Sequence, residues 1–517
     1  MTTMKTRAGR SSLAALLLGS AVAAGLALPA RADDKIFRMP YFADVGSFDP
    51  DNAFEVGALG AVNGIYEGLV EYKPGTTEIV GLLADSFDIS DDQLTYTFHL
   101  ADGVTFHDGT PMDAAAVKTS LERRKDGDLT LSYFLWNVKA IDTPDAKTVV
   151  LTLGQPQPSF LDALASPWGP KVISPAALAE HAGDDNATGW LNDNAVGTGP
   201  FMLTSFNRGE EIVLDRYEGY HGEAPYFDEV QLPIVPDIGQ QILQLQSGDI
   251  DAVPNNYPWS QLKALPPGLA ITAEPSMALV EAAFKKGTPL DDPEIRKAVL
   301  TAMNPAKWVD QAYGGYATPA QSVYQVVMLK PETPIVFPDD MAAAKAIIEK
   351  AGGLSLTIGV PADEQPNVGT AVDLMVALMA ELGIKATINV LPQGAVYSVG
   401  EDLASAPDIL VSRMNPDAAH PENQATVFYT AEAPLNFLKA AVPEADALVM
   451  EAGTKTDIAE RNALYERAGH LYFDSGAFIP LVDIQDVVVH QEGLTDLGLR
   501  PVFPPGNIDF GTVRWAE

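Results

Sequence analysis

The chain has 517 residues, a formal net charge of −36 and no cysteine. That acidity argues against nucleic acid or anionic lipid as a partner, and the missing thiols exclude disulfides, thiolate catalysis and thiolate metal sites. A chain this long can bury a large core without covalent staples and divides into two or more domains.

At the N-terminus, Lys5, Arg7 and Arg10 precede the apolar run "SSLAALLLGSAVAAGLAL" (11–28), and "PARA" (29–32) supplies a small-x-small cleavage pattern. This predicts a secretory signal peptide over 1–32 and a mature chain starting near Asp33. The run is glycine-interrupted and followed at once by "DDK", and no later stretch approaches the roughly 20 apolar residues of a spanning helix. Losing the four basic residues Lys5, Arg7, Arg10 and Arg31 takes the charge from −36 to −40. The expected state is a free bacterial periplasmic protein without stable membrane insertion, whose acidic coat serves solubility.

Strand-like alternation follows in "QLTYTFHL" (93–100), "TVVLTL" (148–153), "EIVLDR" (211–216), "EVQLPIV" (229–235), "LSLTIGV" (354–360), "KATINVL" (385–391) and "VVVH" (487–490). Helical patches alternate with these strands. "DAAAVKTSLERR" (113–124) opens on an Asp cap, "DIGQQILQLQSG" (237–248) ends on glycine, and "DDPEIRKAVLTAM" (291–303) has proline and acids in its first turn. "GTAVDLMVALMAELG" (369–383) followed by "IKATINVL" is a helix–strand unit of the kind that builds parallel sheets, with Met375 and Met379 as core filling. The class is mixed α/β. Proline and glycine are spread along the chain, so the domains are expected to join through short crossings rather than a flexible tether.

Searches for chemistry return little. No GxxxxGK[ST] loop or GxSxG elbow occurs, and "VGTGPF" (196–201) reads as a tight turn into a strand. Ser260 and Lys263 fit SxxK by spacing alone, without the companion motifs. The seven histidines show no metal-ligand spacing, and His107 in "FHDGTP" reads as a hydrogen-bonding residue within its turn. No cofactor, metal or catalytic set is expected. "VSRMNPDAAHPENQ" (411–424) stands out, because a short buried strand over Asp408–Val411 runs into a proline-broken loop that gathers Arg413, Asp417, His420 and Glu422.

Five blocks in order resemble the family 5 extracellular solute-binding proteins of ABC importers. They are "SFDPDNAFEVGALGAVNGIYEGLVEY" (47–72), the stretch from "LLADSFDIS" through "FHDGTPMDAAAVKTSLERR" (82–124), "AVGTGPFML" (195–203), "QLQSGDIDAV" (244–253) and "PLDDPEIRKAVLTAMNPAKWV" (289–309). The resemblance implies a two-lobed periplasmic binding protein fold with an extra subdomain in lobe one and a two-strand hinge. Lobe one would span 33–275 and 485–517, with its subdomain within about 75–190, and lobe two would span 276–484. It further implies a monomer that captures a small solute between its lobes and hands it to an ABC permease and its ATPase subunits. In peptide-binding relatives a loop aspartate takes the ligand's α-ammonium group. Asp417 keeps that position here, with His420 where a second aspartate is usual. Asp417 is therefore the expected amine anchor, its alternative being a turn or cap.

Arg413 would pair a ligand carboxylate or bridge a nearby acid, and Asn415 joins the ligand-binding set on the same loop. Asn415 and Ala419 stand where the nickel-binding branch has Trp and Tyr, which weakens a metal-chelate reading. Phe54, Tyr257 and Trp259 are candidate pocket walls, with core packing as the alternative for each. A short peptide or similar amino-bearing solute leads. An opine, a sugar or a nickel chelate remains open, and an exported hydrolase is the rival from another class.

Overall fold

The computed structural model describes residues 35–254 and 256–516; the predicted signal peptide over 1–32 lies outside them. Three hydrophobic cores organise residues 36–516. The first is built on a mixed six-stranded sheet whose order is Ala317–Pro319, Ile479–Ile484, Leu279–Phe284, Ile409–Met414, Leu354–Pro361, Ile384–Leu391. Helix Gln365–Glu381 leads into Ile384–Leu391, which runs parallel to Leu354–Pro361. Met375 and Met379 are fully buried beneath that helix. The helix starts four residues before the predicted 369, because Pro366 occupies its first turn, where a missing N–H is harmless.

The second core lies on the sheet Ile36–Arg38, Glu229–Pro233, Glu211–Arg216, Phe201–Asn207. The third lies on Ala84–Ile89, Thr95–Leu100, Thr148–Leu153, Val138–Asp145. The alternation read from "TVVLTL" is visible directly: Val149, Leu151 and Leu153 face this core while their neighbours are half-exposed. A three-stranded sheet, Ala252–Val253, Asp486–Gln491, Leu269–Glu274, completes the frame.

The chain passes between this small sheet and the six-stranded one twice, once in each direction, and the two crossings are neighbours. Glu274 pairs with Asp486 on one side, and Leu279 pairs with Asp483 on the other. The Ser276 hydroxyl donates to the Ile484 carbonyl between them at 2.5 Å.

Two sequence motifs acquire a physical reason. In "VGTGPF" a Cβ on Gly197 would fall 2.1 Å from the Ile65 carbonyl, and one on Gly199 2.6 Å from that of Gly64. Close approach to the end of helix Leu59–Ile65 requires both glycines, not unusual dihedrals. His107 locks the same turn. Its Nδ1 accepts from Gly197 N–H at 3.3 Å and its Nε2–H donates to the Gly199 carbonyl at 3.0 Å. Burial lowers its pKa to about 4, which keeps the ring neutral as that pattern needs.

In the other motif, "SFDPD" meets "ERR". Arg123 holds Asp49 through two bonds of 2.9 and 2.7 Å. Arg124, fully buried, donates Nε to Asp51 at 2.6 Å and Nη1 to the Trp168 carbonyl at 2.7 Å. This network fixes the loop that carries Phe54. Arg124→Ala would leave Asp51 with Arg123 as its cation, remove the donor to the Pro50 and Trp168 carbonyls, and is expected to destabilise the fold by about 1–3 kcal/mol. Urea denaturation of the variant measures this, and a loss below about 1 kcal/mol would show the pair to be dispensable.

Candidate functional site: a carboxylate on the seam between two bodies

Strand Ile409–Met414 runs through the middle of the six-stranded sheet, flanked by Leu279–Phe284 and Leu354–Pro361. It reaches three residues beyond Val411, so Arg413 lies on the strand in register with Val280, not in the following loop. Pairing with Leu279–Phe284 carries the strand to Met414, and Pro416 lies beyond its end. Arg413 Nε stands 3.2 Å from Glu364 Oε2. Its side chain shares a small pocket with Tyr257, Trp259 and Gln485, at the crossing between sheets. Tyr257 is buried there, and Trp259 packs edge-on to Tyr313 at 5.4 Å.

The loop after Met414 leaves its own sheet and is held by the other body. Asn415 Nδ2 donates to the Val502 carbonyl at 3.3 Å, and Ser166 Oγ donates to the Asp417 carbonyl at 2.6 Å. Ala419 N–H donates to Tyr72 Oη at 3.0 Å, while Ser159 N–H donates to Glu422 Oε2 at 3.1 Å. Tyr133 Oη donates to Asp417 Oδ2 at 2.7 Å. His420 stays within the loop, capping the turn Pro421–Gln424 by accepting from Glu422 N–H at 3.1 Å. Burial lowers its pKa to about 3, so it sits there as neutral imidazole.

Asp417 is 7 % exposed, and among the described residues no cation lies within ion-pair distance of it. Burial raises its carboxyl to about 6 against the lowering effect of the Tyr133 bond. Asp162, which accepts from Tyr72 Oη at 2.9 Å, is likewise raised to about 7 by burial.

The facing wall is aromatic. Phe54 packs on Trp168 with ring centroids 5.6 Å apart, and Trp168 Nε1 donates to the Phe54 carbonyl at 3.1 Å. Phe54, Val56, Tyr133 and Trp136 are between 41 % and 59 % exposed, so this rim is open to a guest. Trp168 and Phe134 belong to one small core beneath it. Asp417, Asn415 and Phe54 therefore gather around this seam, whereas Arg413, Tyr257 and Trp259 form a second group around the crossing. Sequence reasoning missed Tyr133, Ser166 and Trp168. The aromatic run "TLSYFLWN" (130–137) was the available signal for the first of them.

Two bodies joined by paired crossings and clasped along a polar seam define a two-lobed binding protein. The sequence profile of the bacterial extracellular solute-binding proteins, family 5 Middle, matches residues 78–434. The chain belongs to that family, the periplasmic binding proteins of ABC importers. It is 31% identical over 454 residues to the "Probable D,D-dipeptide-binding periplasmic protein DdpA" of Escherichia coli (strain K12), covering 85% of this chain and 86% of that one. It is 28% identical over 504 residues to the glutathione-binding protein GsiB of Salmonella paratyphi A, covering 95% and 96%. Its fold matches the periplasmic binding protein DppA from Helicobacter pylori, solved in complex with the peptide STSA, with a TM-score of 0.77. That match has 25% identity and covers 93% of this chain and 98% of the other. No helix among the described residues is long and apolar enough to cross a membrane.

The raised Asp417 carboxyl has a signed consequence. An acid whose folded pKa exceeds its unfolded value of about 3.9 binds more protons folded than unfolded. Its ionisation therefore removes stability as pH rises from about 4 to 6. Asp417→Asn, which keeps the shape and the Tyr133 bond, is expected to exceed the parent in stability by roughly 1–3 kcal/mol at pH 7 and to match it at pH 4. Chemical denaturation at both values tests this, and an offset that does not change with pH would contradict it.

Proposed function

We propose that the protein captures a short peptide, or a similar solute with a free amino group, between its lobes and delivers it to an ABC permease. In this reading lobe one comprises 33–275 and 485–517, with the extra subdomain within about 75–190, and lobe two comprises 276–484. Asp417 receives the ligand's ammonium group, Asn415 flanks it, and the Phe54 rim takes an apolar side chain. Arg413, with Tyr257 and Trp259, serves the far end of a ligand long enough to reach the crossing. The protein works as a monomer and enters the periplasm through cleavage of the signal peptide.

One observation carries the reading. Asp417 is a carboxylate buried on the seam with only a neutral hydroxyl for a partner, and burying an ion without a counter-charge costs several kcal/mol. An ammonium guest supplies that charge through short charge-assisted hydrogen bonds. The relatives' printed names and titles (a D,D-dipeptide, glutathione, the peptide STSA) all describe amino-bearing peptides, which supports the same class.

The test is titration calorimetry with the dipeptide Ala-Phe and its N-acetyl derivative. Asp417→Ala is expected to weaken Ala-Phe at least tenfold, about 1.4 kcal/mol, and acetylation is expected to do the same to the parent protein. An N-acetyl peptide bound as tightly as the free one would sink the amine anchor.

A further inference from the structure

Away from the seam, a cavity of about 330 Å³ lies between helix Leu59–Ile65 and the C-terminal segment 500–514. All its lining residues fall within 59–82, 165–223 and 500–514, and none comes from the body that carries Asp417. Most charged groups in its walls are already paired. Arg500 donates to Glu71 and to Asp509, each at 2.8 Å. Glu67 accepts from Thr198 at 2.8 Å, Tyr220 at 3.1 Å and His221 at 3.0 Å. Lys171 is the exception. It lines the cavity and is 8 % exposed, yet among the described residues its ammonium makes no hydrogen bond or ion pair.

An ammonium this deeply buried without a partner is costly, so its presence in a cavity wall marks a place where an anion is expected. The surroundings select the anion. Glu67 and Glu71 act on Lys171 and would repel a dianion such as phosphate. Among the described residues the lining offers no second free cation, since Arg500 is engaged on both sides and Arg514 pairs with Glu223 and Asp496. Leu59, Leu82 and Phe503 give the cavity apolar wall that a bare inorganic ion cannot use. We propose that this cavity is a second ligand site, independent of the seam, that takes a small organic monocarboxylate on the Lys171 ammonium.

The proton balance adds a check. Burial first, with Arg124 and Arg500 adding to it and Glu71 and Glu67 opposing, lowers Lys171 to about 7. Those four groups, with Asp509, Glu223 and Arg514 in the cavity lining, are the charges facing it among the described residues, from helix Ala114–Asp126, from residues 67–71, from the segment before the strand Glu229–Pro233 and from the C-terminal segment. A carboxylate binds the charged form, so affinity should be higher at pH 6 than at pH 8.

Titration of the full-length mature protein with butyrate, hexanoate, phosphate and sulfate tests the site. Saturable binding of butyrate or hexanoate at one site per chain is expected, at least tenfold weaker in Lys171→Met and unchanged in Asp417→Asn. Because Lys171→Met keeps the side-chain length and removes an unpaired charge, its thermal midpoint should equal or exceed the parent's. Lys171→Gln serves as a second variant should the first fold poorly. Any of three results overturns the proposal: no saturable carboxylate binding to the parent, equal binding to both Lys171 variants, or tighter binding of phosphate or sulfate. Loss of carboxylate binding in Asp417→Asn would relocate the ligand to the seam, whereas failure of Ala-Phe to bind would leave the Lys171 result standing.

Discussion

Five hydrogen bonds pin the segment Asn415–Glu422 to the opposite body, and one of them ends on the Asp417 carboxylate. The other four engage neutral partners or backbone groups, each worth about 1 kcal/mol net, and together they hold the seam shut. The Tyr133–Asp417 bond carries a different sign. It satisfies one oxygen of a buried ion but cannot neutralise it, so the contact leaves an electrostatic deficit at the centre of the seam. A closed form built this way is marginal by construction. A guest stabilises it only to the extent that it binds the closed form better than the open one, and repairing that deficit is a contribution specific to closure.

The frame permits such movement because the two bodies share little core. The six-stranded body has its own large apolar cluster. Met277 and Ala419 join the cluster under the smaller antiparallel sheet, alongside Val502, and Val327 and Met328 pack against its edge. The connections between the bodies are the two adjacent crossings at 275–278 and 485. Asp483 and Asp486 sit on either side of Gln485, each raised to about 7 by burial and each with one oxygen lacking a hydrogen-bond partner. Unsatisfied buried carboxylates are destabilising, so the joint itself is not a point of maximal local stability. That suits a hinge and would ill suit a rigid strut.

What the sequence disclosed and what it hid divide along contact range. Element type was legible wherever a periodic pattern met its own cap. The Asp113 side chain accepts from Ala116 N–H at the predicted helix start, and Gly248 takes the left-handed cap at the predicted helix end. Strand ends were less so: Arg413 looked like a loop residue because its pairing partner, Val280, lies more than a hundred residues away. The clasp itself was illegible. Tyr133 and Asp417 are 284 positions apart, and nothing local to "SYFLW" names an aspartate as its neighbour. His107 shows the same limit in milder form, since a hydrogen-bonding role in its own turn was readable but its 90-residue reach to Gly197 was not.

Buried charge is handled in two ways in this molecule. Asp49 and Asp51 are as deeply buried as Asp417, yet Arg123 and Arg124 meet them directly, and the result is a fixed joint between a loop and a helix. Arg500 is as deeply buried as Lys171, yet Glu71 and Asp509 close its charge. Paired, such groups specify architecture; removing either partner damages the fold. Asp417 and Lys171 have no such counter-charge among the described residues, nor do Asp483 and Asp486 at the joint; the first two carry opposite signs, one on the seam and one within a single body. An apolar residue of the same volume would be more stable than an unpaired ion in either position. The proposed roles follow those signs: an ammonium guest would supply the missing charge at the first and a carboxylate at the second.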